Sequence, residues 1–276
     1  MKSSPADQAD PDLLVAIIDC NPLSWRAISD RAPLASTLHD LFVFFNSFRA
    51  LQASNELVVI GAHSAGAVFL YSNEPGQNVA SIIKDRMAKV PVGAGVTQLS
   101  SAMSLAMCYI HRINQEKSSI RRRMMVVQAV ADVSIQYTAT MNCIFSAQKL
   151  AVPVDIVVLT TTDSLLLQQA AHFSNGIYYR VANPVKDLLS ILLMLFLAGA
   201  FDRQILSMPH QAQIDYRATC FCHKQVQDTG YTCPVCLSVF CKPALSCPTC
   251  FTRFPRPARK PRPPTVGERR TANSEF

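Results

Sequence analysis

The fold of this chain is decided by residues 13–19, which read Leu-Leu-Val-Ala-Ile-Ile-Asp, and by the turn Cys-Asn-Pro-Leu at residues 20–23 that follows them. The run is continuously apolar up to its final carboxylate, which predicts a central strand buried on both faces. Strands of this kind are typical of parallel sheets covered by helices. Asp19 ends the strand, and in open sheets of this class ligands bind beyond the carboxyl ends of the strands.

Outward from this strand, apolar runs alternate with helical periodicities up to residue 201. Further strands are predicted at residues 56–62, 67–72, 124–130, 154–159 and 176–181, and helices at 34–51, 79–89, 98–113, 134–150, 164–173 and 185–200. Because the loop at 63–66 is too short for a parallel return, the third strand should run antiparallel at an edge. We therefore predict an α/β fold over residues 13–201, with a doubly wound, mostly parallel six-stranded sheet and helices on both faces.

The rest of the chain divides by composition. We expect a flexible N-terminus at 1–12, a linker at 202–219, a small C-terminal zinc-binding module at 220–254 and a disordered Pro/Arg-rich tail at 255–276.

The longest apolar run, Leu188 to Phe201, spans fourteen residues. A membrane crossing needs roughly 17–25, so we interpret the run as a buried helix and expect no membrane contact. The first twelve residues lack the apolar core of a secretory signal, which favours a reducing compartment.

The net charge of +7 is unevenly placed. Residues 253–276 contain seven basic and two acidic residues, so they account for five of those charges. A nearly neutral body is not typical of a dedicated nucleic-acid binder, and we expect DNA contact to be weak or indirect. The tail could serve nuclear import or touch DNA, and the alternative is that it is simply solvated.

Seven of the ten cysteines lie between Cys220 and Cys250. Two C-x2-C pairs, Cys233 with Cys236 and Cys247 with Cys250, are separated by ten residues. Such pairs supply four thiolates for tetrahedral Zn²⁺ with no open position, which predicts a structural site rather than a catalytic one. The other three cysteines, Cys20, Cys108 and Cys143, stand singly in apolar contexts that predict buried thiols.

Four further potential ligands in the same stretch form a candidate second zinc set: Cys220, Cys222, His223 and Cys241. The alternative is that these are buried thiols or alternate members of one site. Seven Cys and one His also resemble the eight ligands of a RING domain. The first pair is C-x-C and the spacings are compressed, however, so we rank a ubiquitin ligase low.

The turn after the first strand resembles the metal-dependent adhesion site of the von Willebrand factor A family. Asp19 and Thr97 match two family ligands, but Asn21 and Leu23 replace two serines, and the nearest later carboxylate, Asp132, lacks its expected setting. Leu offers no oxygen to Mg²⁺. We therefore predict a degenerate, inactive site at Asp19, Asn21 and Thr97, whose side chains bond within their own turns. A Mg²⁺-dependent ligand-binding domain is the alternative.

Enzymatic motifs are missing from the sequence. It contains no G-x-S-x-G, P-loop or dinucleotide fingerprint. His63 and Ser64 are adjacent in a predicted loop, where exposed polar residues are ordinary. We predict no catalytic residues and no small-molecule substrate.

Four stretches together carry a more specific resemblance: DLLVAIIDCNP at 12–22, YRATCFCH at 216–223, GYTCPVCLSVFC at 230–241 and CPTC at 247–250. They look like the smaller von Willebrand A-type subunit family of transcription factor IIH (TFIIH), the Tfb-four or 34-kilodalton family. The resemblance implies a non-catalytic subunit of the nuclear TFIIH core complex, acting in RNA polymerase II initiation and nucleotide excision repair. It also implies contacts with other core subunits, especially a second von Willebrand A/zinc subunit.

A nucleic-acid-binding module is the alternative function, with the zinc module and basic tail gripping phosphates. Salt-dependent DNA binding that is lost on deleting residues 255–276 would favour it.

Overall fold

The computed structural model describes residues 11–73, 78–91, 93, 95–117, 119–130, 136–199, 202–206, 220–223 and 227–254. The chain divides into two compact units between Tyr216 and Arg217. Most of the predicted flexible N-terminus (1–10), most of the predicted linker (207–219) and the basic tail (255–276) lie outside the described residues and stay predictions.

The first unit is built on a six-stranded sheet of order β3-β2-β1-β4-β5-β6. Its strands are β1 (Asp12–Asp19), β2 (Glu56–His63), β3 (Gly66–Ser72), β4 (Arg121–Gln128), β5 (Val154–Val158) and β6 (Tyr178–Arg180). Every neighbouring pair is parallel except β2 with β3. The structure thus confirms the mostly parallel sheet and the antiparallel third strand at its edge.

Helices connect these strands and cover the sheet. They are α1 (Pro22–Ala27), α2 (Leu34–Leu51), α3 (Val79–Ala88), α4 (Leu99–Glu116), α5 (Tyr137–Lys149), α6 (Leu165–Phe173), α7 (Pro184–Ile191) and α8 (Asp202–Ile205). A π-helical turn, Leu192–Phe196, continues α7. Among the described helices, none is long and apolar enough to cross a membrane.

Alternate residues of β1 feed two separate cores, one on each face of the sheet. Leu14, Ala16 and Ile18 pack with α2, α3 and α7, whose buried residues include Phe44 and Phe45. Leu13, Val15 and Ile17 pack with α4, α5 and α6 on the opposite face. Because successive strand side chains point to opposite faces, only a strand that is apolar at every position can serve both cores. This is why the run at residues 13–18 determines the fold.

Several element boundaries differ from the sequence prediction. Strand β4 begins three residues early, at Arg121, and α1 was not predicted at all. The predicted helix 185–200 is an α-helix followed by a π-helical turn. Cys108, predicted to be buried, is exposed, whereas Cys143 is buried as predicted.

A buried ion pair ties α8 to the sheet. Both terminal nitrogens of Arg203 donate to the carboxylate of Asp155, at 2.8 and 2.6 Å. Arg123 lies 3.7 Å from the same carboxylate and donates to the carbonyl oxygens of Leu197 and Ala198 at 3.2 and 3.1 Å. Burial lowers the pKa of Arg123 to about 10, and the neighbouring Asp155 opposes that shift. These contacts place residues 202–205 with the first unit rather than in a linker.

The second unit contains a two-stranded hairpin of β7 (Tyr231–Thr232) and β8 (Val239–Phe240). The Phe221 N–H donates to the Val239 carbonyl at 2.9 Å, so the chain near Cys220 runs along β8. A side chain at Gly230 would meet Val239 Cγ1 at 2.8 Å and the Phe240 carbonyl oxygen at 3.2 Å. Glycine therefore permits the close approach that forms this hairpin.

Candidate metal centre

The two C-x2-C pairs converge on one point. The ligand atoms of Cys233, Cys236, Cys247 and Cys250 all lie within 4.8 Å of one another. Across the pairs, the sulfurs of Cys233 and Cys250 are 3.6 Å apart and those of Cys236 and Cys247 are 3.5 Å apart. Four thiolates about 2.3 Å from a tetrahedral zinc would lie roughly 3.8 Å from one another. The geometry therefore fits the predicted ligand set, and we call these residues the Cys233 cluster.

The two pairs have the same local structure, that of a tight knuckle. In the first, the Leu237 N–H donates to the Cys233 carbonyl and the Cys233 N–H to the Ser238 carbonyl, both at 2.9 Å. In the second, Phe251 donates to Cys247 and Cys247 to Thr252, both at 2.8 Å. The residue after each second cysteine has positive φ, 58° at Leu237 and 60° at Phe251. This left-handed residue turns the chain back and leaves both sulfurs of the knuckle on one side.

Each knuckle also supplies a hydroxyl to its second sulfur. Ser238 Oγ lies 3.0 Å from Cys236 Sγ, and Thr252 Oγ1 lies 3.1 Å from Cys250 Sγ. The Thr252 hydroxyl, helped by the Thr252 backbone N–H, lowers the pKa of the Cys250 thiol to about 6. Burial raises the pKa of the Cys236 thiol to about 11. Sequence reasoning missed both hydroxyls, although each stands two residues after a cysteine.

The apolar core of the second unit is small. Phe240 is buried in one cluster with Cys233 and Cys247, and Phe221 and Phe254 are partly buried against it. A handful of apolar contacts cannot offset the conformational entropy of ordering some thirty residues. Metal bonds supply the missing free energy in modules of this kind.

The second predicted set also converges. Cys220, Cys222, His223 and Cys241 place their ligand atoms within 4.8 Å of one another. The sulfurs of Cys222 and Cys241 lie 3.4 Å apart, and Cys241 Sγ lies 3.3 Å from His223 Nδ1. We call these residues the Cys220 cluster.

Polar groups also meet beyond the carboxyl end of β1, where the degenerate adhesion site was predicted. The Thr97 hydroxyl donates to the Asp19 carboxylate, with its oxygen 2.9 and 3.1 Å from the two carboxylate oxygens. The Asn21 N–H donates to the same carboxylate at 2.8 Å. Asp19 is only 4% exposed, and burial raises the pKa of its carboxyl group.

Asn21 and Leu23 stand where the family has two serines. The Asn21 amide oxygen accepts the Leu23 N–H at the start of α1, and its amide nitrogen donates to the Gly95 carbonyl. The Leu23 side chain is 50% exposed. Asp132 lies outside the described residues. Asp19 thus accepts a hydrogen bond within its own turn, as expected, whereas the Thr97 side chain bonds across to Asp19 rather than within its own turn.

Comparisons with known proteins indicate the family of the chain. The model of the family described as Transcription factor Tfb4 matches residues 11–91 and 77–251. The General transcription and DNA repair factor IIH subunit tfb4 of Schizosaccharomyces pombe is 38% identical over 256 residues, covering 84% of this chain and 85% of its own length.

The chain belongs to the transcription factor Tfb4 family.

Solved structures are similar in fold to this chain. The crystal structure of the TFIIH p34 N-terminal domain is 25% identical, with a TM-score of 0.61, covering 67% of this chain and 97% of its own. The SpRpn10 VWA domain, 14% identical with a TM-score of 0.51, covers 66% of this chain and 94% of its own, and supports the fold alone. The first unit of this Tfb4-family chain has the von Willebrand A fold.

Two buried residues of the adhesion-site region were missed from the sequence. Ser24, in α1, has its Oγ 3.2 Å from Thr97 Oγ1 and so adds a contact between α1 and the loop before α4. The Gln136 side chain donates to the Thr97 carbonyl at 2.7 Å and accepts from the Ser100 N–H at 3.3 Å. It therefore fixes the start of α4. Neither residue carries a local signal, because each acts on a segment more than thirty positions away.

His63 departs from its predicted setting. It ends β2 and is only 8% exposed, rather than standing in an exposed loop. Its Nδ1 accepts the Ala65 N–H at 3.2 Å, so the ring helps to form the turn into β3. This contact gives the histidine a structural role in the Tfb4-family domain.

An open cavity of about 410 Å³ lies near the carboxyl ends of β4 and β5, lined by Asp30, Arg31 and Thr160–Thr162 among others. The Arg31 guanidinium donates to the carbonyl oxygens of Leu159 and Val181, at 2.8 and 2.6 Å. Its charge is thus used to join loops at this end of the sheet.

Proposed function

We propose that this chain is a non-catalytic scaffold subunit of the TFIIH core complex, acting in RNA polymerase II transcription initiation and nucleotide excision repair. Membership of the Tfb4 family over nearly the whole described chain supports the complex, since the S. pombe relative is named as a subunit of that transcription and repair factor. The scaffold role is supported by the site residues themselves.

The observation that carries the scaffold role is the closed network at Asp19. A working adhesion site needs oxygen ligands that face a Mg²⁺ ion. Here the Asp19 carboxylate accepts hydrogen bonds from Thr97 and Asn21, and an apolar Leu23 stands where a second serine would be. The same residues that form a metal site in the family of folds are used to join loops, which suits a domain that presents a fixed surface.

We assign Zn²⁺ to the Cys233 cluster. Four cysteine thiolates at these separations favour zinc over harder cations such as Mg²⁺. With four protein ligands the ion has no position left for water or substrate, so its role is structural. Bound zinc would hold the two knuckles together and shape the surface of the second unit.

Partner contacts are proposed with other TFIIH core subunits, especially the second von Willebrand A/zinc subunit. Leu23 and Val96 flank the Asp19 network and are 50% and 44% exposed. The Asn21–Gly95 hydrogen bond brings their two loops together. Exposed apolar residues on adjacent, internally braced loops suit a protein contact. This assignment implies a nuclear location, with no membrane and no small-molecule substrate.

Depletion and add-back test this function. Nuclear extract from which the chain has been removed should lose both RNA polymerase II initiation and excision of damaged DNA. Complex containing the wild-type chain, or its Asp19→Asn variant, should restore both activities. Undiminished activity of the depleted extract would contradict the proposal. Failure of a folded Asp19→Asn variant would instead indicate that the carboxylate binds a metal.

A partner-contact variant extends the test. Leu23→Asp should reduce co-purification with the second von Willebrand A/zinc subunit. Leu51→Asp is the matched control, because Leu51 is also an exposed leucine, at the end of α2. Equal losses in the two variants would argue against a contact at the strand ends.

A further inference from the structure

The structure assigns a second zinc site to the Cys220 cluster, distinct from the site proposed at the Cys233 cluster. Its ligands are three thiolates, from Cys220, Cys222 and Cys241, and the Nδ1 atom of His223. Thiolate and imidazole are together a ligand set that zinc prefers.

The separations within the cluster carry the assignment. The Cys222 and Cys241 sulfurs lie 3.4 Å apart, and His223 Nδ1 lies 3.3 Å from Cys241 Sγ and 3.8 Å from Cys220 Sγ. Ligands held at about 2.0–2.3 Å by a tetrahedral zinc would be about 3.5–3.8 Å apart. These values match the spacing in the Cys233 cluster, where the ligand set is clear from the sequence.

The hairpin explains how a C-x-C-H segment finds a distant fourth ligand. Tyr231 pairs with Phe240, so Cys241 leaves β8 at the open end of the hairpin. The Phe221 N–H donates to the Val239 carbonyl, so the chain near Cys220 runs along β8. The ligand atoms of Cys220 and Cys222 lie within 4.8 Å of that of Cys241, at the same end. Cys233 and Cys236 lie in the connection at the opposite end. One small hairpin therefore separates two ligand sets, and the ring centroids of Phe221 and Phe240 lie 6.4 Å apart.

The order of ligands along the chain interleaves the two sites. Cys220, Cys222 and His223 precede the first knuckle, and Cys241 lies between the two knuckles. An ion at the Cys220 cluster would thus fix the segment that enters the module to a residue between the knuckles. The two ions then brace the chain at both ends of one hairpin, where apolar contacts are few.

The Cys220 cluster should also exchange its metal more readily. Cys222 and His223 are exposed and Cys241 is half-buried, whereas Cys233 and Cys247 are buried. Greater exposure gives chelators and competing thiols access to the ligands. We expect a chelator to remove this ion first.

Zinc counting on the full chain tests the assignment. Purified protein, dialysed against a weak chelator, should retain two zinc ions per chain. Seven sulfurs and one nitrogen shared by two ions average three and a half sulfurs and half a nitrogen per zinc, which X-ray absorption can measure. Nitrogen-15 spectra should show His223 ligated through Nδ1.

Variants complete the experiment. Cys222→Ser with Cys241→Ser should leave one all-sulfur zinc, while Cys108→Ser, a change at an exposed isolated cysteine, should leave both ions. One zinc with four sulfurs in the wild-type chain would overturn the second site alone. A Cys222–Cys241 disulfide in the freshly purified chain would overturn it too. A wild-type chain with no zinc at all would overturn the Cys233 assignment as well. The zinc count of the wild-type chain therefore distinguishes the two failures, whether or not the variants fold.

Discussion

The Thr97 hydroxyl donates to the carboxylate of Asp19 across 78 positions of sequence, with its oxygen 2.9 Å from the nearer carboxylate oxygen. This contact joins the end of β1 to the loop before α4. A group that binds a cation in working adhesion sites is here part of the internal hydrogen bonding of the domain. Together with Leu23, which stands where the family has a serine, this contact supports the proposed scaffold role.

Asp19→Ala should destabilise the first unit. It leaves the Asn21 N–H and the Thr97 hydroxyl without their acceptor, and each unsatisfied buried group costs about 1–3 kcal/mol. Asp19→Asn keeps an acceptor for Asn21 and lets Thr97 accept instead, so we expect a change below about 1 kcal/mol. Urea unfolding monitored by circular dichroism measures both, and calorimetry should show no Mg²⁺ binding by the wild-type chain.

The pH dependence of the Asp19→Asn variant has a definite sign. Burial raises the pKa of Asp19 from 3.8, so the folded state disfavours the ionised carboxylate. The protonated carboxyl group contributes stability that is fully present below pH 3.8. This stability is lost as the pH rises through the raised pKa of the folded state. The unfolding free energy of the Asn variant minus that of wild type should therefore be larger at pH 7 than at pH 4. The opposite trend in unfolding free energy would show that the carboxylate is stabilised in its charged form.

Arg203→Met should be strongly destabilising. It removes both hydrogen bonds to Asp155, which is fully buried and would keep Arg123, 3.7 Å away, as a cationic partner among the described residues. Breaking a buried ion pair costs about 3–5 kcal/mol. Arg112→Met is the control, because its 3.9 Å pair with Glu116 is exposed and should contribute less than about 0.5 kcal/mol. Similar losses in the two variants, by urea unfolding, would be inconsistent with the buried clamp.

Ser238→Ala and Thr252→Val should weaken zinc retention. Each removes a hydroxyl within 3.1 Å of a cysteine sulfur in the Cys233 cluster. Loss of such supporting hydrogen bonds lowers metal affinity about 10–100-fold. Competition with a chromophoric chelator measures the change, with the exposed Ser246→Ala as control. Unchanged affinity in both hydroxyl variants would remove any role for these side chains.

Removal of metal should unfold the second unit but leave the sheet intact. The described module buries few apolar side chains, whereas β1 lies between two large cores. A strong chelator should therefore abolish hydrogen-exchange protection across 227–254 while residues 13–18 stay protected. Retained protection at Phe240 after complete metal loss would show that the module folds without zinc.

The sequence predicted most of the sheet because its signals are local. The continuous apolar run of β1 and the short loop between β2 and β3 each indicate one structure. The Arg121–Arg123 stretch of β4 gave no such signal: three consecutive arginines do not suggest a strand. Arg123 is tolerated there only because Asp155 and the carbonyls of Leu197 and Ala198 surround its charge. Those partners are distant in sequence.

In the candidate metal centre, too, some features follow from local sequence signals and others depend on residues distant in sequence. The Cys233 cluster was predictable because two C-x2-C pairs specify their own geometry. The four residues of the Cys220 cluster were named from the sequence with alternatives left open. Their convergence depends on the register of the β7–β8 hairpin, which two-residue strands do not reveal in sequence. Short helix α1 also escaped prediction, since six residues carry too little periodicity and its start depends on the Asn21 side chain.

The central claim is that this chain acts as a scaffold within a stable assembly, and affinity purification tests it most directly. A tagged chain, expressed at its natural level and purified from nuclear extract in moderate salt, should bring down a multi-subunit complex that contains the second von Willebrand A/zinc subunit in equal amount. Recovery of the folded, zinc-loaded chain alone would contradict the account.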